Sequence, residues 1–198
     1  AVILCTIGTI KTSDYPKDVW QGIISMRGAI IILILAWIIS TVVSEMHTGE
    51  YLSTLVAGNI HAGFLPVILF LLAGVMAFAT GTSWGTFGIM LPIAAAMAVK
   101  VEPALIIPCM SAVMAGAVFG DHCSPISDTT ILSSTGAHCN HIDHVTSQFP
   151  YALTVAASAA TGYLALGMTG SAPLGFVVTG IVMVVLIFIL KDKNKATA

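Results

Sequence analysis

Long apolar stretches, separated by short polar segments, divide the chain into candidate membrane helices. Residues 28–45, 149–169 and 174–190 each approach the ~20 residues that an α-helix needs to cross the hydrocarbon core of a bilayer. Residues 1–10 are equally apolar but reach only about half of that length, so we interpret them as the end of a truncated helix. The pattern predicts an all-α, multi-pass membrane protein, in which residues 1–198 form the C-terminal part of a membrane domain.

Two further apolar stretches are interrupted by polar segments. Residues 64–99 contain no charged side chain and are too long for one helix, and the glycine-rich segment GTSWG divides them into two arms. These arms form either two full spans or a re-entrant hairpin. Residues 103–137 are interrupted by GDHCSPISDTT, in which Pro125 lacks a backbone N–H and disfavours helix at the residue before it. We therefore expect a discontinuous helix, whose second half is capped by Ser127 or Asp128.

The composition narrows the class of protein. Apolar side chains make up 57% of the chain and charged ones only 8%, against the roughly 25% that is usual in soluble domains. The mean hydropathy is +0.99, and the net charge of −2 comes without a basic stripe. A soluble enzyme, a nucleic-acid-binding protein and a disordered chain are therefore excluded. We expect the lipid bilayer as the surroundings, with no nucleic-acid partner and no cofactor.

The basic residues predict the orientation of the chain, because they accumulate in cytoplasmic loops. If the C-terminal lysine cluster is placed in the cytoplasm, every other basic residue except Lys100 falls on the same side of the membrane. The C-terminus and the histidine-rich loop HCNHIDH are then cytoplasmic.

Two carboxylates, Asp121 and Asp128, flank the predicted helix break. Charges at membrane depth are costly and usually face a cavity, an ion path or a proton relay. Free carbonyls at the end of a half-helix suit a cation, and hard cations such as sodium prefer oxygen ligands. Burial disfavours the charged carboxylate, so that a proton and a cation would compete for it, as an antiporter requires. The other predicted oxygen donors are the hydroxyl groups of the two breaks, namely Thr80, Thr82, Ser83, Ser124, Thr129 and Thr130.

Other interpretations of the same residues stay open at this point. Asp128 could simply cap a helix in water, and GTSWG could be an ordinary turn. GTSWG also matches the G-x-S-x-G motif of serine hydrolases around Ser83, although that motif requires a strand-to-helix turn. A structural zinc site or a pH-sensing cluster is a further hypothesis, and its candidate ligands are Cys123, His138, Cys139, His141 and His144.

The stretches FATGTSWGTFGIMLPIA and AGAVFGDHCSPISDTTILSSTGAHCNHIDHV resemble the C-terminal half of NhaC-type sodium/proton antiporters, within the ion transporter superfamily. The resemblance extends over about residues 20–190. It implies a bacterial or archaeal inner-membrane protein that exchanges sodium, or lithium, for protons and is built from inverted repeats. This chain would hold one repeat, and its partner would be the missing N-terminal half of the same protein. A homodimer is left open.

The resemblance also implies roles for particular residues. GTSWG would be the tip of a re-entrant hairpin, and the ion-site residues would be Thr82, Ser83, Asp121, Ser124, Asp128 and Thr129. Related proteins that exchange malate for lactate, with sodium and protons, have the motif GDN-x-S-x-ISDTT, whereas this chain has GDHCSPISDTT. The departure favours plain cation exchange, with organic-acid exchange as the alternative.

Overall fold

The computed structural model describes residues 61–196 and scattered positions between 16 and 51. The predicted truncated helix at 1–10 lies outside the described residues, and the predicted span 28–45 is described at only a few positions. Between 61 and 196 the chain forms helices and turns but no strand. The predicted all-α class is therefore confirmed for this region.

Six α-helices follow one another in residues 61–196, and single 3-10 turns at Ala62–Phe64 and Pro103–Leu105 lead into the first and the third. Five of the helices, all except α4, are long and apolar enough to cross a bilayer, which makes this a multi-pass membrane protein. The helices are α1 (Leu65–Thr80), α2 (Ser83–Val101), α3 (Ile106–Cys123), α4 (Asp128–Gly136), α5 (His141–Thr169) and α6 (Ala172–Ala196).

The polar segment between α1 and α2 is shorter than the sequence pattern indicates. Gly81 ends α1 in the left-handed conformation, with a φ of 69°, which glycine adopts without strain. Thr82 then caps α2, because its hydroxyl oxygen accepts the backbone N–H of Gly85 at 3.3 Å. Since this cap stands so close to α1, Ser83 already lies in the helix, although the second arm was expected to begin after GTSWG. The re-entrant hairpin stays a prediction.

The second interruption is a helix break of four residues. Helix α3 ends at Cys123, and Ser124 is extended (φ −74°, ψ 128°), as expected for a residue before proline. A turn follows at Pro125, and α4 begins at Asp128. Ser127 caps α4, since its hydroxyl oxygen lies 3.5 Å from the backbone nitrogen of Thr130.

Close packing of α1 against α3 fixes the position of this break. A Cβ atom added at Gly116 would collide with the carbonyl oxygen of Phe70, and one at Gly120 would collide with that of Gly74. Backbones that approach so closely are typical of small residues at membrane helix interfaces. Apolar side chains of α1, α2 and α3 form one buried cluster around this contact.

Helices α5 and α6 surround this core less completely. Tyr163 of α5 stacks on Phe70 of α1, with the ring centroids 5.5 Å apart, and its hydroxyl group donates to the carbonyl oxygen of Ser111 at 3.0 Å. Helix α5 begins at His141, earlier than the predicted start at residue 149, because Asn140 accepts the backbone N–H groups of the first turn. Part of the histidine-rich segment is therefore helical.

Candidate ion-binding site

Asp121 and Ser83 join the two interruptions of the chain. Asp121 lies in the last turn of α3 and is 5% exposed, whereas Ser83 is the first residue of α2 and is 9% exposed. The Ser83 hydroxyl group donates to Oδ2 of Asp121 at 3.0 Å. The segments GTSWG and GDHCSPISDTT, which both carry predicted oxygen donors, are thus in direct contact at this pair.

The second oxygen of the Asp121 carboxylate is buried and accepts no hydrogen bond from the described part of the chain. A buried acceptor without a partner costs about 1–3 kcal/mol, and more when it carries charge. A bound proton or a cation would remove this cost, since each neutralises the carboxylate. The chemistry of Oδ1 of Asp121 is therefore suited to a proton or a cation.

Ser124 provides a second contact between the two interruptions. It is completely buried, and its hydroxyl group donates to the carbonyl oxygen of Phe78 at 2.8 Å. Phe78 lies in the last turn of α1, where carbonyl groups lack a partner within the helix. A Cβ atom at Gly81 would lie 2.8 Å from the carbonyl oxygen of Ile126, so the turn of the break rests directly on the end of α1.

The remaining predicted site residues lie in different surroundings. Asp128 and Thr129 are exposed in the first turn of α4, where a carboxylate is favoured by the free N–H groups of the helix. The Thr129 hydroxyl group is bonded to that of Ser127 at 2.8 Å, and the Thr82 hydroxyl group serves as the cap of α2. The structure thus places Ser83 in contact with Asp121, and Ser124 directly after the helix that carries Asp121. The ion-site roles of all six predicted residues stay predictions.

Two hydroxyl groups discussed from the sequence contact the backbone. Thr80 is exposed and donates to the carbonyl oxygen of Met76, one turn earlier in α1, at 2.9 Å. Thr130 is buried, and its hydroxyl group lies 3.4 Å from the carbonyl oxygen of His122, at the end of α3. Thr130 therefore links the two halves of the broken helix.

Two histidines of α5 also contact this region. Nε2 of His141 lies 2.7 Å from the carbonyl oxygen of Pro125, and Nδ1 lies 3.1 Å from the hydroxyl oxygen of Ser134. Nε2 of His144 lies 3.3 Å from the hydroxyl oxygen of Ser133. Sequence reasoning considered these histidines only as candidate zinc ligands, together with Cys123, or as pH sensors, and did not predict hydrogen bonds to the break or to α4. The short connection between α4 and α5 was the available signal, because it forces the start of α5 to lie beside α4.

The surroundings of Ser83 do not resemble a hydrolase triad. Ser83 opens a helix that directly follows another helix, whereas the nucleophile elbow follows a strand. Its hydroxyl group is bonded to Asp121, and the His122 ring lies beside the carbonyl oxygen of Val118, with Nδ1 at 3.2 Å. No histidine base neighbours Ser83 in the part of the chain that the structure describes, so the activation that this chemistry requires is missing there.

Comparison with known proteins identifies the family of this membrane-helix chain. The model of the Na+/H+ antiporter family matches residues 1–168. The chain belongs to the Na+/H+ antiporter family. The prediction of an antiporter-family protein with several apolar, membrane-length helices is therefore confirmed, whereas the NhaC type and the C-terminal half stay predictions. No solved structure matches the chain.

Relatives of this antiporter chain differ in what their names say they carry. An uncharacterized protein of Haemophilus influenzae is 60% identical over 93% of this chain and 36% of its own length. The malate-2H(+)/Na(+)-lactate antiporter of Bacillus subtilis is 29% identical over 67% of this chain and 28% of its own. The arginine/ornithine antiporter ArcD of Halobacterium salinarum is 34% identical over 74% of this chain and 29% of its own length. The chain spans about a third of the length of the curated relatives that it matches.

Proposed function

We propose that the protein containing this chain is a secondary antiporter that exchanges sodium, or lithium, for protons across a bacterial or archaeal inner membrane. In this proposal the chain is the C-terminal half of an NhaC-type membrane domain, one of two inverted repeats, with a cytoplasmic C-terminus. The observation that carries the proposal is the Asp121 carboxylate, which is buried beside a helix break and has one oxygen without a hydrogen-bond partner among the described residues.

Exchange follows from the electrostatics of a single buried carboxylate. The Ser83 hydroxyl group holds Oδ2 of Asp121, which leaves Oδ1 for a proton or a cation. An isolated buried charge costs several kcal/mol, so the carboxylate favours a state in which one of the two neutralises it. Since only one of them fits at a time, sodium binding releases a proton, and proton binding releases sodium. Opening of the site to alternate sides of the membrane then makes this competition an exchange.

Asp128 takes a secondary part in this proposal. It lies exposed on the opposite side of the break, in the first turn of α4. There it would hold a cation or a proton on the way to Asp121, with the neighbouring Thr129 hydroxyl group as a further ligand. Because Asp128 is not buried, its charged form costs less free energy than that of Asp121, and binding of a proton or a cation stabilises it less.

A second candidate function is the exchange of organic solutes, coupled to sodium and protons. The names of two relatives favour it, since one carries malate and lactate and the other carries arginine and ornithine. The two candidates share the proton and cation site and differ in the cargo. Exchange that begins only after malate, lactate or arginine is added would establish the second candidate in place of the first.

The test uses everted membrane vesicles from cells that express the full-length protein. A proton gradient is formed by respiration, and its collapse on addition of sodium is followed by the fluorescence of a weak base. We expect sodium to collapse the gradient with the wild-type protein, Asp121→Asn to abolish this response, and Asp128→Asn to weaken it. Asp143→Asn is the matched control, because Asp143 is an exposed carboxylate in the first turn of α5.

The outcome separates the site assignment from the choice of cargo. If Asp121→Asn and Asp128→Asn were both present in normal amounts and both retained full exchange, the assignment of the site would be wrong. If Asp143→Asn were as defective as Asp121→Asn, loss of exchange would reflect any missing carboxylate rather than the buried one.

A further inference from the structure

Three consecutive residues of the helix break are held by two parts of the molecule, the end of α1 and the start of α5. The Ser124 side chain is bonded to the end of α1, and the backbone of Ile126 rests on Gly81. Between them, the carbonyl group of Pro125 is bonded to a side chain at the start of α5. The conformation of the break therefore depends on α5 as well as on the core helices.

The group that holds Pro125 is the imidazole ring of His141. A carbonyl oxygen only accepts hydrogen bonds, so Nε2 of His141 carries the hydrogen that it donates over 2.7 Å. Proline has no N–H, which leaves this carbonyl as the single backbone group through which Pro125 can be bonded. The contact is thus short, directional and specific to one atom of the break.

The ring is itself held in place from two sides. His141 is half-buried, and its Nδ1 lies 3.1 Å from the hydroxyl oxygen of Ser134 in α4. His141 is also the first residue of α5. It directly follows Asn140, whose side chain accepts two backbone N–H groups of the first turn. A ring fixed in this way can resist movement of the residue to which it is bonded.

We propose that His141 is a positioning residue of the ion site, which acts by holding the carbonyl group of Pro125. The path to Asp121 is short, because the backbone N–H of Ser124 donates to the carbonyl oxygen of Asp121 at 3.1 Å. Movement of Pro125 would displace Ser124 and with it the end of the helix that carries Asp121. This inference rests on the proposed function of that carboxylate.

Two substitutions of His141 separate the bond to Pro125 from the presence of a polar side chain. In His141→Gln, the side-chain nitrogen stands the same number of bonds from Cβ as Nε2 of histidine, so it can still donate to the Pro125 carbonyl group. In His141→Asn, the nitrogen is one bond closer to the backbone and falls short. Loss of one such hydrogen bond is worth about a fivefold change in an equilibrium.

His144→Asn is the matched control. His144 lies one turn further along α5 and contacts the neighbouring serine of α4, Ser133, at 3.3 Å. It therefore shares the helix, the residue type and the contact with α4, but its bond goes to α4 rather than to the break. Exchange in vesicles is measured as the sodium concentration that gives half of the maximal rate, together with the maximal rate itself.

We expect the half-saturating sodium concentration to rise about fivefold in His141→Asn and to stay within about twofold of wild type in His141→Gln and His144→Asn. The maximal rate per molecule should change less than the half-saturating concentration. The inference is overturned if His141→Asn is unchanged, if His141→Gln is as impaired as His141→Asn, or if His144→Asn shows the same rise.

A second readout does not depend on transport. Cys123 is the last residue of α3, is 2% exposed and donates from its thiol to the carbonyl oxygen of Phe119 at 2.8 Å. Its alkylation by N-ethylmaleimide in membranes, followed by peptide mass spectrometry, reports whether the break has loosened. We expect alkylation about fivefold faster in His141→Asn, and unchanged in His141→Gln and His144→Asn.

The two readouts distinguish failure of this inference from failure of the proposed function. If the wild-type protein shows no sodium-dependent exchange, the proposed cargo is wrong, and the alkylation of Cys123 still decides whether His141 holds the break. If exchange is present but Cys123 reacts at the same rate in every variant, His141 does not position the break.

Discussion

The two carboxylates that flank the helix break lie in contrasting surroundings. Asp121 lies in the last turn of a helix whose glycines touch the backbone of α1, and its side chain is almost completely buried. Asp128 begins a short helix that is held by side-chain hydrogen bonds, and its side chain is exposed. The difference shows that two carboxylates of one polar motif can differ in the free-energy cost of carrying a charge. A buried carboxylate must be neutralised, whereas an exposed one is already hydrated.

A first way to break this comparison is to change the helix contacts that bury Asp121. In Gly120→Ala the added methyl group would meet the carbonyl oxygen of Gly74, whereas at Gly136, the last residue of α4, a methyl group meets nothing within 4 Å. We expect Gly120→Ala to lower the free energy of unfolding by about 1–3 kcal/mol. Gly136→Ala should leave it unchanged or raise it by up to about 1 kcal/mol.

The measurement is equilibrium denaturation of the purified protein in detergent. Equal effects of the two substitutions would mean that the close approach of α1 and α3 does not stabilise the molecule. The contrast between α3, which is packed tightly on α1, and α4, which is held by side-chain hydrogen bonds, would then fail.

A second way to sharpen the comparison is to remove the hydrogen bond that holds Asp121. Ser83→Ala deletes the donor to Oδ2 and leaves both carboxylate oxygens without a partner among the described residues. Hydrogen bonds to charged groups contribute about 1.5–3 kcal/mol, and this one stabilises the carboxylate that binds sodium more than the neutral carboxyl that binds the proton. Its loss favours the competing proton, so the half-saturating sodium concentration should rise at least about tenfold. Thr80→Ala is the control, because among the described residues that exposed hydroxyl group bonds only within its own helix.

This prediction is checked by sodium titration of exchange in vesicles. A Ser83→Ala protein that titrates like Thr80→Ala would show that the hydroxyl group near Asp121 has no part in binding the ion.

Much of this architecture follows from local sequence features. Pro125 predicts the break, because the backbone restrictions of proline act on its immediate neighbour. The glycine and hydroxyl pattern of GTSWG predicts an interruption, but the cap at Thr82 starts α2 earlier than the apolar pattern indicates. Capping depends on the geometry of one side chain, which hydrophobic periodicity does not describe.

The features that the sequence left undetermined arise from contacts between distant segments. The spacing of Asp121 and Asp128 gave them equal standing, whereas the packing of α3 against α1 and α2 buries one of them. The bond between His141 and Pro125 joins residues that are 16 positions apart. The histidine-rich segment suggested a metal or a pH sensor, whereas the structure shows a ring bonded to the break.

Competition between sodium and the proton at one buried carboxylate is the central claim, and the pH dependence of sodium affinity tests it most directly. A lower pH raises the concentration of the competing proton, so more sodium is needed to occupy the shared site. Mass action for a single shared site predicts that the half-saturating sodium concentration rises by up to about tenfold for each unit by which the pH falls. A half-saturating concentration that stays constant over several pH units, while exchange continues, would contradict the account.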